Sequence, residues 1–170
     1  MMKTLHILFL FSFLFLLTSQ SCKKQEKLPE GDHTLYCYID GELFVPEGDC
    51  NVASTMPCQD ALNFIKHEND YFIAHAKNNE ENINLRFCIL NWEEGKFYLS
   101  KNNGDFYDLS NNNAAIFKDN KLYISHDNSG WVKFEQASPD GDTKGTFEFT
   151  LYNVEDSTDV IRVTDGHFDD

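Results

Sequence analysis

The chain has 170 residues, of which 28 are acidic and 14 basic, for a net charge of −14. That balance excludes a nucleic-acid partner and attachment through a polybasic surface, since both need an excess of Lys and Arg to neutralise phosphate. Aromatic residues make up 14% of the chain and prolines number only four, a composition of β-rich globular chains rather than disordered ones.

Met1-Met2-Lys3 forms a short positive start, followed by an almost unbroken apolar run of 13 residues from Leu5 to Leu17. A hydrocarbon core about 30 Å thick needs roughly 20 residues to span, so the run suits the h-region of a secretory signal instead. Thr18-Ser19-Gln20-Ser21 then lead into Cys22. Small residues before a cysteine at this point resemble a bacterial lipobox, with Ser19 where the usual pattern has Leu. The relaxed form is similar to that of lipoproteins from Bacteroidetes-type bacteria. The resemblance implies that residues 1–21 are removed and that the Cys22 thiol is acylated, which makes the lipid bilayer a partner. Ordinary secretory cleavage after Ser19-x-Ser21 also fits. Cysteine parity favours the lipid: five cysteines are odd, and assigning Cys22 to acylation leaves the even set Cys37, Cys50, Cys58 and Cys88.

Residues 22–33 form a polar tether with a Pro29-Glu30-Gly31 turn signal. Surface-exposed lipoproteins of these bacteria usually carry an acidic run directly after the cysteine. Here Lys23 and Lys24 follow instead, so the expected place is the outer membrane, facing the periplasm. Lys3 is the only charged residue among the first 21, so the remaining 149 residues carry 13 basic and 28 acidic groups, a charge of −15. One domain over 34–170 is expected.

Alternation of period two governs that domain. Leu35–Ile39 and Glu42–Val45 flank Asp40-Gly41, and Ala114–Lys118 and Lys121–His126 flank Asp119-Asn120. Val160–Thr164 and His167–Phe168 flank Asp165-Gly166. These dipeptides tolerate the positive φ of tight hairpins. A two-residue turn at Asp119-Asn120 places Phe117 opposite Leu122 and Ala115 opposite Ile124, one apolar face of a half-buried sheet. Further strands are expected over Leu62–His67, Tyr71–Ala76, Ile83–Leu90 and Lys96–Ser100, with alternation also at Val132–Phe134 and Phe147–Leu151. Pro46–Asp60 reads as irregular, with at most a helical turn near Pro57–Ala61. About ten short strands predict an all-β fold, an antiparallel β-sandwich or, alternatively, a closed or partly open lipocalin-like barrel. Phe87, Phe117, Phe134, Phe147 and Phe149 are its expected core.

Gly145-Thr146-Phe147-Glu148-Phe149 and Thr164-Asp165-Gly166-His167-Phe168 resemble the ending of an uncharacterised domain family of small Bacteroidetes lipoproteins, with a GTF-F core and a final T-D/N-G-x-F hairpin. Asp40-Gly41-Glu42-Leu43-Phe44 resembles the family's opening DG-x-x-F element. The likeness covers about a third of the chain. It implies a β-sandwich-like lipoprotein domain and, as the family has no assigned activity, no chemistry.

In an oxidising compartment the four body cysteines read as disulfides. Cys50–Cys58 is the first choice, and Cys37–Cys88 follows by elimination, although Cys88 alternates with Asn84 and Arg86 while Cys37 lies with Leu35 and Ile39. His67 and His75 suggest a metal, but with Asn69-Asp70 as a two-residue turn they point to opposite faces. His126 and His167 have no ligand-spaced partners. The acidic loops containing Asp140, Asp142, Glu155–Asp159, Asp165 and Asp169-Asp170 offer weak calcium candidates, chiefly Asp140, Asp142 and Asp165, if they meet at one end of a sandwich. Turn-forming aspartates explain the same residues. Trp92, in a turn, and Trp131, on one face with Lys133 and Glu135, are either sugar-stacking platforms or caps at a sheet edge, the edge being the simpler reading. G-x-S-x-G, H-E-x-x-H and phosphate-loop patterns are absent from the sequence. The expectation is therefore an exported, lipid-anchored structural or binding module of the envelope without catalysis, metal or cofactor, with a protein or glycan as a candidate but unidentified partner besides the bilayer. The alternatives are a lipocalin-like binder of a small apolar ligand or glycan, and an enzyme of unrecognised type.

Overall fold

A computed structural model describes residues 28–31, 33–47, 61–68 and 70–170. Residues 1–27, 32, 48–60 and 69 lie outside the described residues, and with them the expected acylation at Cys22 and the expected Cys50–Cys58 bridge. Ten strands form: β1 Thr34–Ile39, β2 Glu42–Phe44, β3 Leu62–Lys66, β4 Tyr71–Asn78, β5 Ile83–Leu90, β6 Gly95–Tyr98, β7 Asn113–Lys118, β8 Lys121–Gln136, β9 Lys144–Asn153 and β10 Val160–Asp169. They run β2-β1-β10-β9-β8-β7-β5-β4-β3, with β6 on β8. The fold is all-β. Nine strands make one antiparallel sheet curled into a half-barrel. The partly open barrel, not a stack of two sheets, is the arrangement adopted, because hydrogen bonding continues unbroken from β2 to β3.

The concave side is filled. Phe72 from β4 meets Phe134 of β8 at 5.0 Å and Phe168 of β10 at 5.5 Å, and Phe87 of β5 meets Phe147 of β9 at 5.1 Å, centroid to centroid. These rings are almost wholly excluded from solvent, and each contributes roughly 1.5–3 kcal/mol by burial. The open seam between the two ends of the sheet is stitched at both extremities. Glu47 bridges Asn78 beyond β2, and Lys66 Nζ of β3 donates to the Asp170 carboxylate and to the Gly141 carbonyl, both at 2.8 Å.

The β7–β8 register is as expected, with Phe117 opposite Leu122 and Ala115 opposite Ile124. Its orientation is the reverse. Ala114, Ile116 and Tyr123 face the core, whereas Phe117 turns outward and is only half-buried. Both faces of this hairpin are apolar because the outer one is also covered, so alternation alone does not tell which is concave.

Asp165-Gly166 is not a hairpin turn. β10 runs straight through it between β1 and β9, with a bulge between Val163 and Gly166. Asp165 does take the positive φ its dipeptide announced, at 50°, but uses it to absorb an extra residue in the strand. The β3–β4 register also slips by one from the expectation, since His75 pairs with Asn63 and Phe72 with Lys66. A longer connection, in which His67 N–H donates to the Tyr71 carbonyl and Asp70 N–H to that of His67, replaces the two-residue turn.

Cys37 and Cys88 do not pair. Both are free and buried, Cys37 inside the concave core and Cys88 on the opposite face beside Arg86. Burial pushes both thiols up, with Arg86 opposing the rise at Cys88.

Candidate functional site

The convex face carries the polar chemistry. Residues 99–112, between β6 and β7, first run along the edge of β8, through Leu99 N–H to the Gly130 carbonyl at 3.0 Å and Asn102 N–H to that of Ser125 at 3.0 Å, and then cross the outer face over Arg86 of β5 as a strap. The sequence builds the strap from Asn and Asp, whose short side chains bond nearby backbone and fold tight turns. Asn102 Oδ1 accepts from Gly104 and Asp105 N–H, and Asp108 Oδ1 accepts from Ser110 N–H at 2.8 Å. Underneath, Asn102 Nδ2 donates to Asn113 Oδ1 at 3.1 Å.

Arg86 of β5, only 3% exposed, donates through Nη1 to the carbonyls of Phe106 at 3.2 Å and Asp108 at 3.1 Å. Burial pulls its guanidinium down, with Cys88 and Asp108 acting against that. At Asp108 burial raises the carboxyl, but hydrogen bonds from Ser110 and Asn103 outweigh it and hold it below the usual range. His75 of β4 packs edge-on to Phe106 at 5.8 Å. Its Nε2 is the one buried side-chain polar atom without a partner among the described residues. Burial, then Lys77 and Arg86, lower its pKa. Apart from His75, these groups are spent on holding the strap.

Between the strap and the β9–β10 connection lies a groove of about 610 Å³, floored by Ile124 and lined by Lys101, Asn103, His126, Asn153 and Ser157 among others. His126 lies against Tyr152 at 4.4 Å. Asn153 is consumed internally, donating to Asp159 at 3.0 Å and accepting from Glu155 N–H at 2.9 Å. Lys121 bonds Asp159 at 2.8 Å and, first among several causes, holds its carboxyl below the usual range.

A second outer region centres on Trp131 of β8 and Glu148 of β9, which are directly paired. Two shallow depressions share these residues, one of about 350 Å³ reaching Tyr36, Asp165 and His167, the other of about 250 Å³ reaching Thr150, Arg162 and Thr164. Bulges create both. β8 departs from register between Ser125 and Gly130, and β10 between Val163 and Gly166, so the middle of β9 runs between two kinked neighbours. Tyr98 of β6 pairs with Trp131 on its other side and is 59% exposed. Lys96 Nζ rests 3.9 Å from the Trp131 ring centroid. Tyr36 and His167 rings lie 5.4 Å apart. Among the described residues, the side chains of Glu148, Asp165 and Arg162 take part in no hydrogen bond or ion pair.

The other predicted positions disperse. Trp92 is 7% exposed inside the core, against Phe72 and Phe134, with Nε1 donating to the His67 carbonyl at 3.1 Å. In the actual register His67 and His75 share the outer face, but they stand near opposite ends of the β3–β4 hairpin, roughly 13 Å apart along it, and share no metal. The acidic loops do not gather at one end: Asp140 and Asp142 sit before β9, close to Asp170, while Glu155–Asp159 follow it, at the opposite end of a ten-residue strand. Asp165 is mid-strand, and Asp169 and Asp170 are paired with Lys144 and Lys66. No cluster of three metal-ligating side chains exists among the described residues. Of the sequence candidates, Trp131, Asp165 and His167 line one surface depression, beside the unspent carboxylate of Glu148. Glu148 and Arg162 were not singled out, although alternation along β9 and β10 places them outward.

No protein-family model, curated protein or solved structure matches the chain.

Proposed function

We propose that the chain is a bacterial lipoprotein anchored through acylated Cys22 in the outer membrane, facing the periplasm, and that its β-domain is a non-enzymatic binding module of the cell envelope. The observation that carries the anchor is the apolar run Leu5–Leu17 handing over, through small residues, to Cys22. Two or more acyl chains at about 0.8 kcal/mol per buried methylene hold a domain durably. Likeness to the uncharacterised Bacteroidetes lipoprotein domains agrees with this reading. The filled concave side favours recognition at the outer surface over a lipocalin-like interior site.

Metabolic labelling with palmitate tests the anchor. The full chain incorporates label and partitions into detergent, and Cys22→Ala abolishes both. Equal labelling of the variant overturns the reading.

A further inference from the structure

We propose that the outer face around Trp131 and Glu148 is a binding site for a neutral oligosaccharide. The proposal rests on reading the domain as a binding module, though not on its lipid anchor. Four observations converge on it. First, the rings of Trp131, Tyr98, Tyr36 and His167 sit on one face of neighbouring strands. A sugar ring has C–H faces that stack on such rings and hydroxyls around its rim that need donors and acceptors.

Second, those donors and acceptors are present and unspent. Glu148 and Asp165 offer carboxylate oxygens and Arg162 offers guanidinium N–H groups, none engaged among the described residues. The larger groove differs, because Asn102 is spent on Asn113 and Asn153 on Asp159 there. Third, charge points to a neutral ligand. In a chain of net charge −14 this face sets Lys96 and Arg162 against Glu148 and Asp165, so it favours neither an anion nor a cation. Fourth, the side chains stand on paired strands, fixed by the bulges of β8 and β10, so little ordering is needed on binding.

Lys96 sets the sign of a discriminating test. Its ammonium occupies the Trp131 face at 3.9 Å from an exposed, flexible side chain. A stacked sugar takes that place, so Lys96 competes with the ligand rather than holding it. An exposed cation–π contact corresponds to about a two- to fivefold change in affinity.

The test is affinity electrophoresis of the full chain in detergent through native gels containing neutral polysaccharides, namely a mixed-linkage β-glucan, xyloglucan, galactomannan and starch, with dextran sulfate as the anionic probe. At least one neutral polymer retards the protein. Trp131→Ala weakens retardation about tenfold, Glu148→Gln weakens it, Lys96→Ala strengthens it about two- to fivefold, and Lys101→Ala in the larger groove leaves it unchanged. If Trp131→Ala fails to fold, the exposed Tyr98→Ser replaces it, with loss of retardation expected. Absence of retardation by every neutral polymer overturns the proposal. So does retardation indifferent to these substitutions, or retardation only by dextran sulfate that Lys96→Ala weakens. A protein partner displaced by Trp131→Ala, with no neutral polymer bound, overturns it in favour of a protein-docking face. Palmitate labelling is blind to all of these substitutions, so failure of the glycan site and failure of the anchor are told apart.

Discussion

The rings of Phe168 and Phe72 lie 5.5 Å apart, although four strands separate β10 from β4 along the sheet. The contact joins the two walls of the half-barrel. Phe168 also touches Phe87 at 5.7 Å and Phe134 at 5.5 Å, so its removal empties the centre of the core. Phe168→Ala is expected to cost about 3–5 kcal/mol, measured from urea unfolding; a loss below about 1 kcal/mol contradicts wall-to-wall packing.

Gly130, where β8 resumes its pairing with β9, has no room for a methyl group. A Cβ there overlaps Phe149 and the Glu148 carbonyl, and backbone atoms in a paired strand yield little. Gly130→Ala is expected to destabilise by about 1–3 kcal/mol. Thermal unfolding beside the wild type reads this, and an unchanged midpoint places the bulge elsewhere.

Arg86 holds the strap by two carbonyls from beneath. Arg86→Met keeps much of the stem and removes the donors, at an expected cost of about 1.5–3 kcal/mol. Amide exchange separates local from global effects: residues 102–112 exchange faster while β9 and β10 stay protected. Uniform acceleration in all strands means that Arg86 does not act through the strap.

His75 links stability to pH. Its folded pKa lies below its ordinary 6.5 because burial disfavours the charged ring. Between the folded and unfolded values the unfolded chain binds more protons, so stability rises with pH. His75's contribution is complete above about pH 6.5 and is lost as pH falls through that value. Denaturation at pH 7.5 and 5.5 is expected to show a smaller decline for His75→Gln than for wild type. Equal declines assign the pH dependence to other groups.

Cys37 and Cys88 occupy opposite faces of the sheet and have no bond between them. Non-reducing peptide mapping of the protein, kept under oxidising conditions, is expected to recover no peptide linking the two, and maleimide to label them only on unfolding. A Cys37–Cys88 crosslink refutes the assigned faces.

Pairing was legible where a turn signal and alternation agreed, as in the Asp119-Asn120 hairpin, whose register follows from sequence. Which side is concave was not, because the strap gives Ala115 and Ile124 a second buried environment, and period two cannot distinguish two buried faces. Asp165-Gly166 announced positive φ correctly without saying whether a turn or a bulge would use it. That depends on whether the following residues find partners, and here β1 and β9 supply them on both sides. Trp131 was legible as outward, but the depressions beside it come from bulges in β8 and β10, which period-two alternation does not announce. Trp92 was misjudged because a turn residue can fold inward when its indole N–H finds a carbonyl, here that of His67.

β1 is hydrogen-bonded to β10, from Thr34 opposite Asp169 to Ile39 opposite Val163. A nascent polypeptide with this topology cannot settle its opening strand until its tenth has been synthesised, because the seat for the one is the flank of the other. Such long-range closure is slow to form, and the delay leaves the emerging chain loose for as long as a translocation channel would require. Lateness in folding, ordinarily a hazard, is here compatible with passage across a membrane.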